Sequence, residues 1–184
     1  MDDGAKRTVE IVKGLRIFSR VDEQDVKKVD IHDGINSTII LLNSTIPGKI
    51  RVIREFGELP MVECLAGKIN QVFMNIINNA VQALGDRIDT IKDPKITIST
   101  KASQDFVTIE IEDNGPGMPE HVKQRIFEPF FTTKAVGKGT GLGLSIVYSI
   151  IENHKGTLEV ISEEDQGTLF KITLPIHQSA KRYE

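Results

Sequence analysis

Four glycines alternate with other residues in Gly137-Lys-Gly139-Thr-Gly141-Leu-Gly143, and the run leads straight into an apolar helical pattern, Leu144, Val147, Tyr148 and Ile151. No other stretch constrains the fold so tightly. Glycine lets backbone amides turn inward and crowd an anion. A helix N-terminus adds partial positive charge behind them, which is how proteins hold polyphosphate. The run is neither of the two commonest phosphate loops. A P-loop has Ser or Thr after Gly-Lys, whereas Lys138 is followed by Gly139. The dinucleotide fingerprint places its last glycine where this chain has Leu142 or Leu144. Glycine alternation also makes flexible tethers, so its surroundings decide what it does.

Those surroundings are a two-layer pattern. Residues 5–28 read as a helix with Ile11, Leu15 and Phe18 on one face. Residues 31–46 read as a second helix that Pro47-Gly48 ends, followed by a strand over Ile50–Phe56. Residues 66–86 form the most periodic helix, with Ile69, Phe73, Ile76, Ile77, Ala80 and Leu84 on one stripe. Alternating runs at Ile96–Ile98 and Val107–Ile111 predict a hairpin. Asp113 to Thr140 is a long Gly- and Pro-containing segment with one short helix near Glu120–Ile126. Residues 118–138 read as a mobile lid. A helix to Asn153 and two strands, Thr157–Ile161 and Leu169–Leu174, close the chain. The order predicts an α+β fold: a two-layer sandwich of a mixed, mostly antiparallel sheet with helices on one face.

Four features converge on a nucleotide. On the helix 66–86, Lys68, Asn75, Asn79, Gln82 and Asp86 fall on one polar stripe, with Asn75 and Asn79 one turn apart. Carboxamide oxygens are hard ligands suited to a magnesium ion that also takes phosphates and water. Asparagine is a poor helix former, so a merely solvated face would favour Lys or Glu. Asp113-Asn-Gly115-Pro-Gly117 directly follows a strand. It offers a carboxylate to an exocyclic amine and glycines beside a flat ring, although alone it is an ordinary tight turn. Phe127-Glu-Pro-Phe130-Phe131-Thr132-Thr133-Lys134 carries three phenylalanines expected to avoid water, and three side chains able to reach phosphates. The glycine run supplies the fourth feature.

In this order the motifs resemble the catalytic ATP-binding domain of sensor histidine kinases of two-component systems. That domain's superfamily is shared with DNA gyrase, MutL and the heat-shock chaperone ATPases, and has the Bergerat-type ATP-binding fold. The resemblance covers about residues 50–176. It implies that Asn79 ligates Mg2+ and that Asn75 is the catalytic position beside the phosphates. Asp113 would bond the adenine amine, with Thr168 helping through water, and Gly115 and Gly117 would flank the base. Gly139, Thr140, Gly141, Leu142 and Gly143 would present amides to phosphate. Thr132, Thr133, Lys134 and Lys138 complete the expected nucleotide contacts. Many such domains carry a phosphate-binding lysine three residues after the magnesium asparagine. Gln82 stands there, so the charge is expected from Lys134 or Lys138.

Residues 7–20 resemble the end of the second helix of the kinase dimerisation hairpin, which assigns 1–28 to that helix and 29–184 to the catalytic domain. His32-Asp33 imitates a phosphoacceptor pair but lies where the linker runs, and His154 reads as helix C-terminal structure favoured by the dipole. The acceptor histidine is therefore expected outside this chain. The implied partners are ATP, a dimerisation helix of the same or a second kinase chain, and the receiver domain of a response regulator. Two other readings compete. A mechanical ATPase of the gyrase or chaperone kind carries a glutamate where this chain has Asn75, and an amide cannot act as a base. A pseudokinase would hold nucleotide without chemistry, yet all four motifs look intact.

Composition narrows the setting. Charged residues are 27% with net charge −3, which gives no basic excess for nucleic acid. No apolar run approaches the ~20 residues of a membrane span, so direct membrane insertion is not expected. The single cysteine, Cys64, fits a reducing compartment. The expected location is cytoplasmic, including the cytoplasmic part of a membrane-bound sensor.

Overall fold

Alternating runs such as Ile96-x-Ile98 and Val107-x-Ile109-x-Ile111 bury one sheet face, and the periodic stripe of residues 66–86 covers it. The computed structural model of the chain describes residues 25–134 and 139–178. Its main sheet has five strands in the order β2-β4-β5-β7-β6. These are β2 Arg51–Phe56, β4 Lys95–Ala102, β5 Phe106–Asp113, β6 Thr157–Glu163 and β7 Gly167–Pro175. A smaller antiparallel pair joins β1, Lys27–Val29, to β3, Val62–Cys64. The helices are α1 Ile31–Leu42, α2 Ala66–Gly85, α3 Glu120–Lys123 and α4 Gly143–Asn153.

Strands β2 and β4 run parallel because β3 and α2 lie between them in the chain, and parallel neighbours need such a crossover. The remaining pairs are antiparallel. Ile98, Ile111 and Phe170 stand in register across three strands and are buried. Ser99, Glu110 and Lys171 alternate onto the opposite face, where Lys171 pairs with Glu159 at 3.5 Å. Ile69, Phe73, Ile76, Ile77 and Leu84 of α2 and Val147 and Ile151 of α4 are buried against the apolar face. Each such side chain contributes about 1.5–3 kcal/mol. Helix α1 packs on α2 through Ile31, Ile35 and Ile39. Asp30 caps α1, accepting the amide of His32 at 2.7 Å.

The fold class is as the sequence predicts, with four local corrections. Of the helix read over 5–28, residues 5–24 lie outside the described residues, and its last part is not helical. Lys27–Val29 is a strand because it pairs with Val62–Cys64, a partner that local periodicity cannot reveal. The second helix stops at Leu42 rather than 46, where Thr45 Oγ1 donates to Leu42 O at 2.8 Å and turns the chain. Of the three phenylalanines expected to avoid water, Phe127 and Phe131 pack on the core, whereas Phe130 is 75% exposed. Its backbone lies at φ 67°, with its amide bonded to Gly141 O at 2.9 Å. Finally, His154 does end α4, but it is buried and its pKa is lowered by loss of solvation. Desolvation outweighs the attraction of a helix C-terminus for a cation.

Candidate functional site

Asp113 is the last residue of β5, opposite Ile96 on one side and Thr168 on the other. This register buries its carboxylate to 6% exposure. Its Oδ1 accepts the amide of Gly115 at 2.8 Å. Burial pushes the Asp113 carboxyl up to about 6, against the pull of the Gly115 and Thr168 amides. The result is a buried acceptor that is ionised above that value. Thr168 Oγ1 lies 3.0 Å from Ser162 Oγ, which donates to Gly167 O at 2.9 Å. Local sequence pattern does not mark Ser162; its only signal is the register that sets it opposite Thr168.

Gly117 holds φ +63°, and a Cβ there would lie 1.8 Å from Glu163 O. The loop after β5 therefore runs flush against the β6–β7 turn, where Asp165 N also donates to Pro116 O at 2.7 Å. The visible requirement for glycine at 117 is this contact between backbones.

Along α2 the polar stripe faces the second half of the site. Asn75 Nδ2 donates to Gly143 O at 3.2 Å, which fastens α2 to the start of α4. Lys134 Nζ donates to Asn79 Oδ1 at 3.3 Å and also to Gln82 Oε1. Burial lowers the Lys134 pKa, and the charge of Asp86 opposes the shift. Lys134 N bonds Thr132 Oγ1 at 3.2 Å, and Thr133 is exposed. Gly139 lies against this pair, since a Cβ on it would meet Thr132 Oγ1 at 2.6 Å. Lys138 and Gly137 lie outside the described residues.

Gly141 takes φ +66°, and a Cβ there would strike the Phe130 backbone at 2.4 Å. Its carbonyl accepts the Phe130 amide at 2.9 Å. Thr140 Oγ1 accepts Leu142 N at 3.3 Å, and Gly143 then opens α4. The first amides of a helix have no intrahelical partner and are free to take an anion.

Two groupings result. Asp113, Gly115, Gly117 and Thr168 gather at the ends of β5 and β7. Asn75, Asn79, Lys134, Gly139 and Gly141–Gly143 gather along α2 and the start of α4. Gly115 approaches α2 at Ala83, and a Cβ on Gly115 would lie 3.7 Å from the Ala83 Cβ. Eight residues separate positions 75 and 83, about 12 Å along a helix. That spacing suits a base at one end and phosphates at the other. Among the described residues no cluster of three or more His, Cys, Asp or Glu side chains is placed to hold a metal ion. The Asn79 oxygen is of the hard type that magnesium takes alongside phosphates and water, but here it accepts the Lys134 ammonium, so holding the ion there requires the lysine to rest on Gln82 instead. No helix among the described residues is long and apolar enough to cross a membrane.

Comparison with known proteins identifies the family and the fold. The family described as histidine kinase-, DNA gyrase B- and HSP90-like ATPase matches the chain over residues 65–178. The chain is 36% identical over 182 residues to sporulation kinase E of Bacillus subtilis (strain 168), covering 96% of this chain and 23% of that protein. It is 33% identical over 191 residues to the sensory histidine kinase/phosphatase NtrB of Rhizobium leguminosarum bv. phaseoli, covering 97% and 49%. The nucleotide-free catalytic domain of histidine kinase ThkA superposes with a TM-score of 0.71 at 31% identity, over 83% of this chain and 97% of that one. ThkA in complex with response regulator protein TrrA gives 0.69 at 26% identity, over 98% of this chain and 50% of that one. The chain spans about a quarter to a half of the length of these two curated relatives.

Proposed function

Because the chain belongs to the histidine kinase-, DNA gyrase B- and HSP90-like ATPase family, we propose that it is the catalytic ATP-binding part of a sensor histidine kinase. It transfers the γ-phosphoryl group of Mg-ATP to a histidine on a dimerisation helix, for relay to the receiver domain of a response regulator. The observation that carries this reading is Asn75. Hydrolysing relatives need a base at that position to activate water. Here it holds a neutral carboxamide, fastened by its Nδ2 to Gly143 O at 3.2 Å. Such a group orients and polarises but takes no proton. Phosphoryl transfer asks for little more than positioning and charge neutralisation.

In this reading Asp113 accepts from the adenine amine, Thr168 supports it, and Gly115 and Gly117 shape the floor beneath the ring. Asn79 gives one oxygen to magnesium. Lys134 and Lys138, the hydroxyls of Thr132, Thr133 and Thr140, and the amides of Gly139–Gly143 take the phosphates. Bound Mg-ATP supplies the phosphoryl group and the metal's neutralising charge.

The acceptor is assigned to a helix outside residues 29–184. Two observations support this. His32 is committed to structure: its ring stacks on Phe56 at 4.2 Å and bonds Thr100 Oγ1 at 2.9 Å. Phe130, 75% exposed and close in the chain to the Phe127–Tyr148 ring pair, offers an apolar surface for an incoming helix. The receiver domain of a response regulator is then the next partner. The cytoplasm, where ATP and response regulators reside, is the proposed compartment, and the unpaired, buried Cys64 suits it.

The test is to incubate the chain with labelled ATP, alone and with a dimerisation hairpin supplied in trans. Expected is ATP binding without appreciable turnover by the chain alone, and acid-labile, base-stable label on the hairpin when it is present. Steady hydrolysis by the isolated chain, lost in Asn75→Ala, would overturn this in favour of a mechanical ATPase. Acid-stable label on the chain would point to a serine or threonine kinase.

A further inference from the structure

The polar face of α2 is neutral where it meets the glycine-rich side of the site. Asn75, Asn79 and Gln82 offer carboxamides there, and carboxamides bring dipoles but no net charge to an anion. The charge arrives from elsewhere. Lys134, distant in sequence, sets its ammonium between Asn79 Oδ1 at 3.3 Å and Gln82 Oε1. These are not passing contacts of a surface lysine. The Lys134 side chain is partly withdrawn from solvent, and the Asp86 carboxylate, one turn beyond Gln82, also attracts it. An ammonium has three donors, and two are engaged by adjacent turns of one helix.

We propose that Gln82 is a positioning residue. Its carboxamide oxygen holds the Lys134 ammonium on α2, so that this lysine supplies the positive charge that the Asn75–Gln82 stretch of α2 lacks to the phosphates of the bound nucleotide. The proposal rests on the nucleotide-site reading above. It gives Gln82 a role in affinity although it need not touch nucleotide. It also predicts that the charge can be moved. A lysine at position 82 would carry it on α2 directly and make Lys134 dispensable.

The experiment uses the full chain and two readouts. In the first, calorimetry with Mg-ATP compares wild type, Lys134→Ala, Gln82→Ala, the double alanine variant, and Gln82→Lys combined with Lys134→Ala. Thermal unfolding confirms that each is folded. Lys134→Ala and Gln82→Ala should each weaken binding about tenfold, the scale of one charge-assisted hydrogen bond. The double alanine variant should be no weaker than Lys134→Ala, and the Gln82→Lys combination should regain most of the affinity. In the second, the side-chain 15N signal of Lys134 in protein without nucleotide should move in Gln82→Ala. Wild-type affinity in Gln82→Ala, losses that multiply in the double variant, or an unmoved Lys134 signal would each overturn the proposal while leaving the site reading intact. A wild-type chain that fails to bind Mg-ATP would overturn both.

Discussion

The Nε2 of His154 accepts the backbone N–H of Leu65 at 3.1 Å, which ties the end of α4 to the residue that precedes α2. Its Nδ1 lies 2.7 Å from Ile150 O, so this nitrogen carries the proton and Nε2 stays bare. Leu65 has no side-chain cap to offer α2, and the imidazole works across the fold in a cap's place. The two helices joined here carry Asn75, Asn79 and Gly143.

Stability should therefore fall in mildly acidic solution through His154. Burial lowers its pKa in the folded chain from the ordinary 6.5. The unfolded chain then binds the proton more readily, so the contribution is fully present above 6.5 and is lost as the pH drops below it. Asp113 acts in the opposite sense, because its raised value favours the folded state as pH falls through about 6. Urea unfolding at pH 7.5 and 5.5 separates the two by comparison with His154→Gln. The wild type should lose more stability than the variant over this interval. At pH 7.5, His154→Ala should cost about 1–3 kcal/mol, the scale of an orphaned buried donor.

Asp113 should make adenine-nucleotide affinity depend on pH. With its carboxyl titrating at about 6, roughly three-quarters of the free protein is protonated at pH 5.5. The charged acceptor is then lost, and affinity for ADP should fall by up to about fourfold between pH 7.5 and 5.5. Asp113→Asn should bind weakly at both values and lack this increment. Calorimetry should also find ATP bound more tightly than GTP, since guanine presents a carbonyl where adenine has its amine. Equal affinity for the two would remove Asp113 from base recognition.

The glycines should separate into two kinds. Gly117→Ala and Gly141→Ala force a side chain onto backbones at φ +63° and +66°, against Glu163 O and the Phe130 backbone respectively. Each should destabilise the chain by about 1–3 kcal/mol. Gly143→Ala meets only Asn75 at 3.7 Å and should leave the unfolding midpoint nearly unchanged. Any loss of ATP affinity in Gly143→Ala would then report on the phosphate end of the site. Thermal unfolding beside nucleotide titration distinguishes the two behaviours.

Phe130 should matter to transfer and little to folding. Phe130→Asn keeps a residue that tolerates its left-handed backbone and removes a ring that is 75% exposed. Stability should change by less than about 0.5 kcal/mol, and ATP affinity should hold. Phosphorylation of a dimerisation hairpin supplied in trans should slow. Unchanged transfer would dismiss Phe130 as the docking surface.

By itself the sequence determined what repeats locally. The stripe from Ile69 to Leu84, the alternation through Ile96–Ile98 and Val107–Ile111, and the glycine run ahead of Leu144 each state burial or backbone freedom within a few residues. Those patterns were enough for the sheet-and-helix layers and for the candidate residues on α2, after β5 and before α4. Tertiary structure decided what depends on distant partners. Lys27–Val29 became a strand only because Val62–Cys64 lies alongside it. Phe130 faces solvent because its backbone is pinned to Gly141, and Ser162 joined the site through its register with Thr168. Lys134 reached Gln82 across 52 positions and His154 reached Leu65 across 89. The physical reason is range. Periodicity records which face of an element meets the core, whereas a hydrogen bond between remote side chains exists only after packing has fixed both ends within about 3 Å.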